Sequence, residues 1–124
     1  MKTKAELPSC PVATAVSLIG GKWKLLILRN LKARPWRFNK LLRDLDGISQ
    51  KVLTDSLRQM TDDGLVYRKD YRELPPRVEY GLTELGRKML PIIDALAAFG
   101  SYYRSVVEEE YMREEKRPHE SSIL

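Results

Sequence analysis

Three polar side chains, Ser49, Gln50 and Lys51, open a predicted helix in the stretch GISQKVLTDSLRQM. Their chemistry suits base edges and phosphates, because Gln pairs with adenine, Lys binds guanine or phosphate, and Ser or Thr contacts either. The first turn of a helix also attracts phosphate. Thr54 and Arg58 follow on the outer side of this helix, where Arg58 would contact phosphate or form an internal ion pair. Alone, however, a polar helix face is typical of any solvated surface.

A second basic segment, RELPPR, lies between two runs in which apolar and polar residues alternate. Arg72 and Arg77 flank its prolines, Pro75 and Pro76, which restrict the backbone of the loop. The arginines could therefore approach a DNA backbone or minor groove at a smaller cost in conformational entropy. Lys40, in a preceding helix, is a further candidate for a phosphate contact. A basic turn is also common on protein surfaces, so the two segments gain weight from their joint order.

Apolar periodicity predicts the elements that position the first segment. Pro11, with Ser9 as a possible cap, starts one helix, which Gly20 and Gly21 end. A second helix is predicted with one buried face, made of Trp23, Leu26, Ile27 and Leu31. A short edge strand in RPWRF then precedes a two-turn helix with the apolar residues Phe38, Leu41, Leu42 and Leu45. After a turn at Asp46 and Gly47, the polar helix is predicted to be capped by Ser49, with the inward residues Ile48, Val52, Leu53, Leu57 and Met60.

Beyond Gly64 the apolar period changes to two, which predicts a β-hairpin with RELPPR at its tip. Thr83 is then predicted to cap one long helix from Glu84 to about Val107, bent near Pro91. The predicted fold class is α+β and mostly helical. Two short helices joined by a glycine turn and followed by a hairpin indicate a winged helix-turn-helix, whose second helix enters the major groove by its N-terminal end. The polar turn and the basic tip would then share one role.

Several motifs in order carry a family resemblance: CPV, IGGKWKLLIL, RF, GISQKVLTDSLRQM, DGLVYR and PPRVEYGLTELG. Between about Cys10 and Gly100 the sequence resembles the HxlR-type transcriptional regulators of bacteria and archaea. The resemblance implies a homodimeric winged helix-turn-helix protein that binds double-stranded DNA, with N- and C-terminal dimerisation helices. The leading hypothesis is thus a sequence-specific regulator, a repressor. The main alternative is a winged-helix protein-interaction module that uses the same basic face on an acidic partner.

The predicted final helix carries more apolar surface than a domain this small can cover, which indicates a partner. The candidate interface residues are Ile92, Leu96, Phe99, Tyr103 and Val107. A twofold dimer would bind a palindromic operator with half-sites about one or two DNA turns apart. The predicted domain covers residues 10–107, and residues 1–9 and 108–124 are predicted to be flexible charged tails.

Cys10 is the only cysteine and stands beside Pro11 at a predicted helix start, where the helix dipole favours a thiolate. The alternative is a small side chain that packs the first helix on the core. In the family that the sequence resembles, the cysteine of the CPV motif senses oxidants or electrophilic quinones in some members. A disulfide would require Cys10 of a partner subunit or a small thiol. Cys10 is therefore a candidate redox sensor for a small oxidant or electrophile.

The remaining composition argues against an enzyme. One cysteine and one histidine leave no Cys-cluster metal site, and a thiol enzyme at Cys10 would lack a base because His119 lies in the predicted tail. We expect no metal and no cofactor. The net charge is +5, and residues 22–88 hold an excess of about seven positive charges, which favours an anionic partner. Without a long apolar run or a signal peptide, the protein is expected to be cytoplasmic and to have no membrane contact.

Overall fold

Six helices and three short strands make up the computed structural model, which describes residues 1–117. The elements are α1 (Pro11–Ile19), α2 (Trp23–Asn30), β1 (Trp36–Arg37), α3 (Phe38–Asp44), α4 (Gln50–Asp62), β2 (Val66–Asp70), β3 (Val78–Leu82), α5 (Glu84–Arg87) and α6 (Leu90–Lys116). A single 3-10 turn, Lys4–Glu6, precedes them. The chain divides into two compact units, residues 1–91 and residues from Ile92 onward. The predicted fold class is confirmed, and so is the predicted order of elements as far as β3.

Helix α1 begins at the predicted proline but one residue away from the predicted cap. The N-cap is Cys10 rather than Ser9, and its side chain makes no capping hydrogen bond. Pro11 fits the first helical position because the N–H that it lacks would have no partner inside the helix. Gly20 and Gly21 end the helix as predicted, and Gly21 has a φ of +94°.

The core of the first unit is formed mainly by α2, α3 and α4. Its fully buried side chains are Ile27, Leu28, Leu31, Leu41, Leu45, Leu53, Leu57, Met60 and Val66. This confirms the inward face predicted for α4, with one exception. Val52 is 38% exposed, because it lies about a quarter turn to the side of Leu53, Leu57 and Met60. Ser56 takes a buried place on this face instead, next to Leu57.

The three strands form one antiparallel sheet in the order β1, β3, β2. Trp36 of β1 pairs with Tyr80, while β2 pairs with β3 from Val66 opposite Leu82 to Asp70 opposite Val78. The predicted edge strand and hairpin are both present. The sheet therefore fixes residues 71–77 as the tip of a wing.

The sequence predicted one bent helix at the end of the chain, but the structure has two separate helices there. Helix α5 ends at Arg87 and α6 starts at Leu90, so Pro91 stands in the first turn of α6, where a missing N–H costs nothing. Helix α6 also continues through residues 108–116, which were predicted to be tail. Arg113 pairs there with Glu110 at 2.7 Å and Glu109 at 3.9 Å, spacings that stabilise a helix. The predicted tail residue His119 lies outside the described residues.

Within residues 1–117, no individual helix has the length and apolar character needed to cross a membrane. Helices α1 and α2 would meet those two criteria only as a pair, and the chain bends by 78° between them.

Gly86 in α5 marks a close backbone approach and yields a stability prediction. A Cβ atom at this position would overlap the carbonyl oxygen of Leu65. Although alanine is the better helix former, we expect Gly86→Ala to lower the free energy of unfolding by about 2 kcal/mol, since rigid backbone must shift. Urea denaturation measures this change, and the exposed Glu84→Ala variant in the same helix should stay within about 0.5 kcal/mol of the wild type. Equal stability of Gly86→Ala and wild type would contradict the prediction.

Candidate nucleic-acid interface

A short turn between α3 and α4 sets the angle of the polar helix. The backbone N–H of Leu45 donates to the carbonyl of Leu41 at 3.0 Å, and that of Ile48 donates to the carbonyl of Leu45 at 3.1 Å. Gly47 adopts a φ of +88°, a conformation that glycine accepts without steric cost. The two helices and this turn form the predicted helix-turn-helix.

The first turn of α4 presents the predicted base-reading residues to solvent. Ser49 is the N-cap, and its hydroxyl oxygen accepts a hydrogen bond from the N–H of Val52 at 3.1 Å. Ser49, Gln50 and Lys51 are all exposed, while Thr54 is half-buried one turn later. Ser49 thus has a structural role in addition to the predicted contact.

Lys51 is 85% exposed and pairs with a residue that the sequence analysis missed, Asp55, at 2.8 Å. The hydrogen bond from Lys51, followed by its charge, lowers the pKa of the Asp55 carboxyl. An exposed ion pair of this kind is weak and can exchange for a contact with an anion. The i, i+4 spacing of the two residues was the available sequence signal.

Arg58 lines a groove of about 430 Å³ between α4 and the sheet. Arg68 of β2 lies in the same groove, although it was not predicted as a site residue. The other lining residues are Thr54, Leu57, Thr61, Asp62 and Tyr80. The groove runs along the later turns of α4, and its two guanidinium groups outweigh the one carboxylate of Asp62. With two threonine hydroxyls beside them, these arginines make the groove suitable for a phosphate backbone.

Lys40 lines a second groove, of about 640 Å³, between α3 and the wing. Arg37 and Arg43 line it as well, together with Phe38, Asn39, Pro76 and Val78. None of these lining residues is acidic. The nitrogen of Lys40 also lies 4.9 Å from the Trp36 ring centroid. The spacing of three residues between Arg37, Lys40 and Arg43 could have revealed this basic row in the sequence.

The two arginines of the wing tip that were predicted to contact DNA differ in their exposure to solvent. Arg72 is exposed, has a φ of +53°, and donates its backbone N–H to Asp70 Oδ1 at 2.9 Å. Pro75 is exposed too. Arg77, in contrast, is only 31% exposed and pairs with Glu73 at 3.1 Å. The structure thus presents Arg72 and Pro75 to solvent and holds Arg77 within the wing.

Helix α6, taken by itself, carries the predicted interface residues on its surface. Ile92, Leu96, Phe99, Tyr103 and Val107 are between 45% and 65% exposed. The rings of Phe99 and Tyr103 lie 6.4 Å apart, so neighbouring aromatic residues reinforce this apolar stripe. Helix α1 exposes Val12 and Val16 in the first unit, and Cys10 is exposed at its start.

A helix-turn-helix with a polar second-helix terminus, joined to a three-stranded sheet with a basic tip, defines a winged helix-turn-helix protein. Within that class the chain belongs to the HxlR-like helix-turn-helix family, whose model matches residues 18–108. The protein is therefore an HTH-type transcriptional regulator and not an enzyme.

Known relatives agree in sequence and in fold. An uncharacterized HTH-type transcriptional regulator from Methanothermobacter thermautotrophicus is 48% identical over 96 residues, covering 77% of this chain and 73% of the relative. The reduced form of the redox regulator HypR is 39% identical and covers 81% of this chain and 99% of its own, with a TM-score of 0.76. The reduced form of the transcriptional regulator YodB from Bacillus subtilis is 32% identical and covers 74% of this chain and 91% of its own, with a TM-score of 0.66.

Proposed function

We propose that the protein is a repressor that binds a palindromic DNA operator as a homodimer. The observation that carries this proposal is the exposed polar first turn of α4, together with a groove along the later turns of the same helix that is lined by Arg58 and Arg68. Such a surface suits both parts of DNA recognition, since side chains at the helix end reach base edges while the arginines hold phosphates. We also propose that the protein is cytoplasmic, because its DNA partner lies in that compartment.

The proposed contacts divide by chemistry. Gln50 and Lys51 read bases. Thr54 and the Ser49 hydroxyl contribute further hydrogen bonds to the same stretch of DNA. Arg58 and Lys40 bind phosphates from their two grooves, one between α4 and the sheet and the other between α3 and the wing. Arg72 and Pro75 bring the wing tip against the DNA backbone or minor groove.

The proposed dimer rests on apolar surface that the described chain leaves open. The stripe on α6 runs at helical spacing from Ile92 to Val107, and each of its five named residues is exposed. Exposed apolar surface of this extent is typical of a protein–protein contact. We propose that α6, assisted by Val12 and Val16 of α1, meets the same helices of a second copy. The twofold axis would then impose its symmetry on the operator.

The proposed signal is an oxidant or electrophile that reacts with Cys10. The thiol is exposed at the start of α1, and the similar protein HypR is described as a redox regulator, with structures of reduced and oxidized forms. Oxidation would join the Sγ atoms of Cys10 in two subunits. The two thiols would lose two protons and two electrons, and the oxidant would accept the electrons. The bond would alter the dimer and hence the spacing of the two DNA-reading helices.

Selection of bound duplexes from a random DNA pool tests the proposal. At about 150 mM salt nonspecific phosphate binding is weak, so we expect an enriched palindrome. We expect an added oxidant to abolish the enrichment, a thiol to restore it, and the Cys10→Ser variant to be insensitive. Absence of enrichment would favour the protein-interaction module over the DNA-binding repressor. Enrichment that oxidant leaves unchanged in the wild type would refute the role of Cys10 alone.

A further inference from the structure

Arg77, at the base of the wing tip, is held by three side chains. Its guanidinium carbon lies 3.5 Å from the centroid of the Tyr71 ring. Its Nη2 atom lies 3.1 Å from a Glu73 oxygen, and its Nη1 atom lies 3.9 Å from a Glu79 oxygen. One face and two edges of the guanidinium are therefore engaged inside the wing.

The charges around Arg77 disfavour a phosphate contact. Lys69, whose nitrogen lies 4.5 Å from the centroid of the same Tyr71 ring, and Arg77 together only balance the carboxylates of Glu73 and Glu79, so the group has no excess of positive charge for a phosphate. Its Nε atom is buried as well and cannot reach a phosphate. Releasing the guanidinium would break the ion pairs with both carboxylates and the stacking on the Tyr71 ring. A planar group that is stacked and paired in this way is specific to arginine.

The same contacts fix the loop that carries Arg72. The N–H of Tyr71 donates to the carbonyl of Arg77 at 2.9 Å, which extends the hairpin by one bond beyond its last strand pair. Tyr71 also donates its hydroxyl to Glu79, a hydrogen bond that raises the pKa of the phenol. Because Tyr71 directly precedes Arg72, its position sets the direction in which Arg72 leaves the sheet.

We propose that Arg77 is a positioning residue of the wing, which aims Arg72 at the DNA backbone and does not itself contact DNA. This inference rests on the proposed DNA-binding function and refines the role expected for Arg77 from the sequence. Tyr71, Glu73 and Glu79 then belong to the same positioning group. Of the two arginines in the tip, residues 71–77, Arg72 is the one that reaches a phosphate.

Two variants that keep the net charge test this role: Arg77→Lys and Tyr71→Leu. Binding of a mixed-sequence duplex of about 30 base pairs, measured across a salt series, reports phosphate contacts independently of the operator. We expect each variant to weaken binding about three- to tenfold at low salt and to reduce the salt slope by about one, as Arg72→Asn does. Asparagine tolerates the left-handed backbone of residue 72, so this reference variant removes the cation and keeps the turn. Arg113→Lys, at an arginine that also faces two glutamates, should bind like wild type.

A double-mutant cycle distinguishes positioning from direct contact. If Arg77 acts through Arg72, Arg77→Lys adds little to the loss caused by Arg72→Asn. Independent losses, or wild-type binding by both Arg77→Lys and Tyr71→Leu, would overturn the proposal.

Hydrogen exchange of the Tyr71 amide tests the positioning role of Arg77 in the absence of DNA. We expect exchange at least about tenfold faster in Arg77→Lys, because the loop opens locally. Unchanged exchange would refute the positioning role even if the protein failed to bind duplex DNA. Failure of the wild type to bind any duplex would instead overturn the proposed function, and with it the DNA contact of Arg72.

Discussion

The Phe99→Asp variant is expected to be a monomer that has lost most of its affinity for the operator. Phe99 is 65% exposed at the middle of the α6 stripe, so a carboxylate there would be desolvated in the proposed dimer. A monomer binds only one half-site, and losing the linked second contact costs about 100-fold or more in affinity. Analytical ultracentrifugation measures the mass, and titration of the selected operator measures the affinity.

The geometry of α6 supplies the control for this variant. From Ile92 the stripe advances through Leu96, Phe99 and Tyr103 in alternating steps of four and three residues, the spacing of a helix-packing seam. Ser101 is exposed and lies half a turn away from Phe99. Ser101→Asp adds the same charge off the stripe and should remain dimeric. A dimeric Phe99→Asp variant with wild-type affinity would show that the stripe is not the interface.

Much of the fold followed from periodicity. The spacing of apolar residues predicted the inward face of α4, and the change to a period of two predicted the hairpin. Local signals also worked where one residue dominates the backbone, as at Pro11 and at the Ser49 cap. Such features depend on neighbours in the chain, which a single sequence displays directly.

Other features depended on contacts between distant residues and could not be predicted from spacing. The break between α5 and α6 accompanies the close approach of Gly86 to Leu65, a contact that no local pattern records. The continuation of α6 through its charged end is a different case, because its signal is local but ambiguous: a high charge density is also typical of tails. Its acidic and basic residues pair along the helix instead.

The residue types predicted which side chains belong to the site, but they did not predict which of the charged side chains are exposed and which are paired. Arg72 and Arg77 are equivalent in the sequence of the wing, yet one is exposed and the other is surrounded by Tyr71, Glu73 and Glu79. Whether an arginine is available to DNA depends on which acidic groups the fold brings beside it. The basic row at Arg37 and Arg43 had a spacing signal in the sequence, but only the structure shows that the groove it lines has no acidic lining residue.

Lys51→Ala is expected to weaken operator binding about 10- to 100-fold, the range that one base contact supplies. Two effects combine, because the variant removes the proposed base-reading cation and leaves the Asp55 carboxylate unpaired beside the DNA. Thermal stability should not change, since the Lys51 side chain is 85% exposed. Titration of the selected operator and of a scrambled duplex measures affinity and specificity together.

Asp55→Ala separates the two effects of Lys51. In the single variant Lys51 loses its 2.8 Å partner, so we expect tighter binding to the scrambled duplex and a smaller preference for the operator. In the double variant, Lys51→Ala with Asp55→Ala, the repulsion disappears and part of the affinity returns, while the preference does not. Gln50→Ala supplies the comparison, since it should relax the preference at one base pair without changing the net charge. An unchanged operator preference in both Lys51→Ala and Gln50→Ala would mean that the first turn of α4 does not read bases.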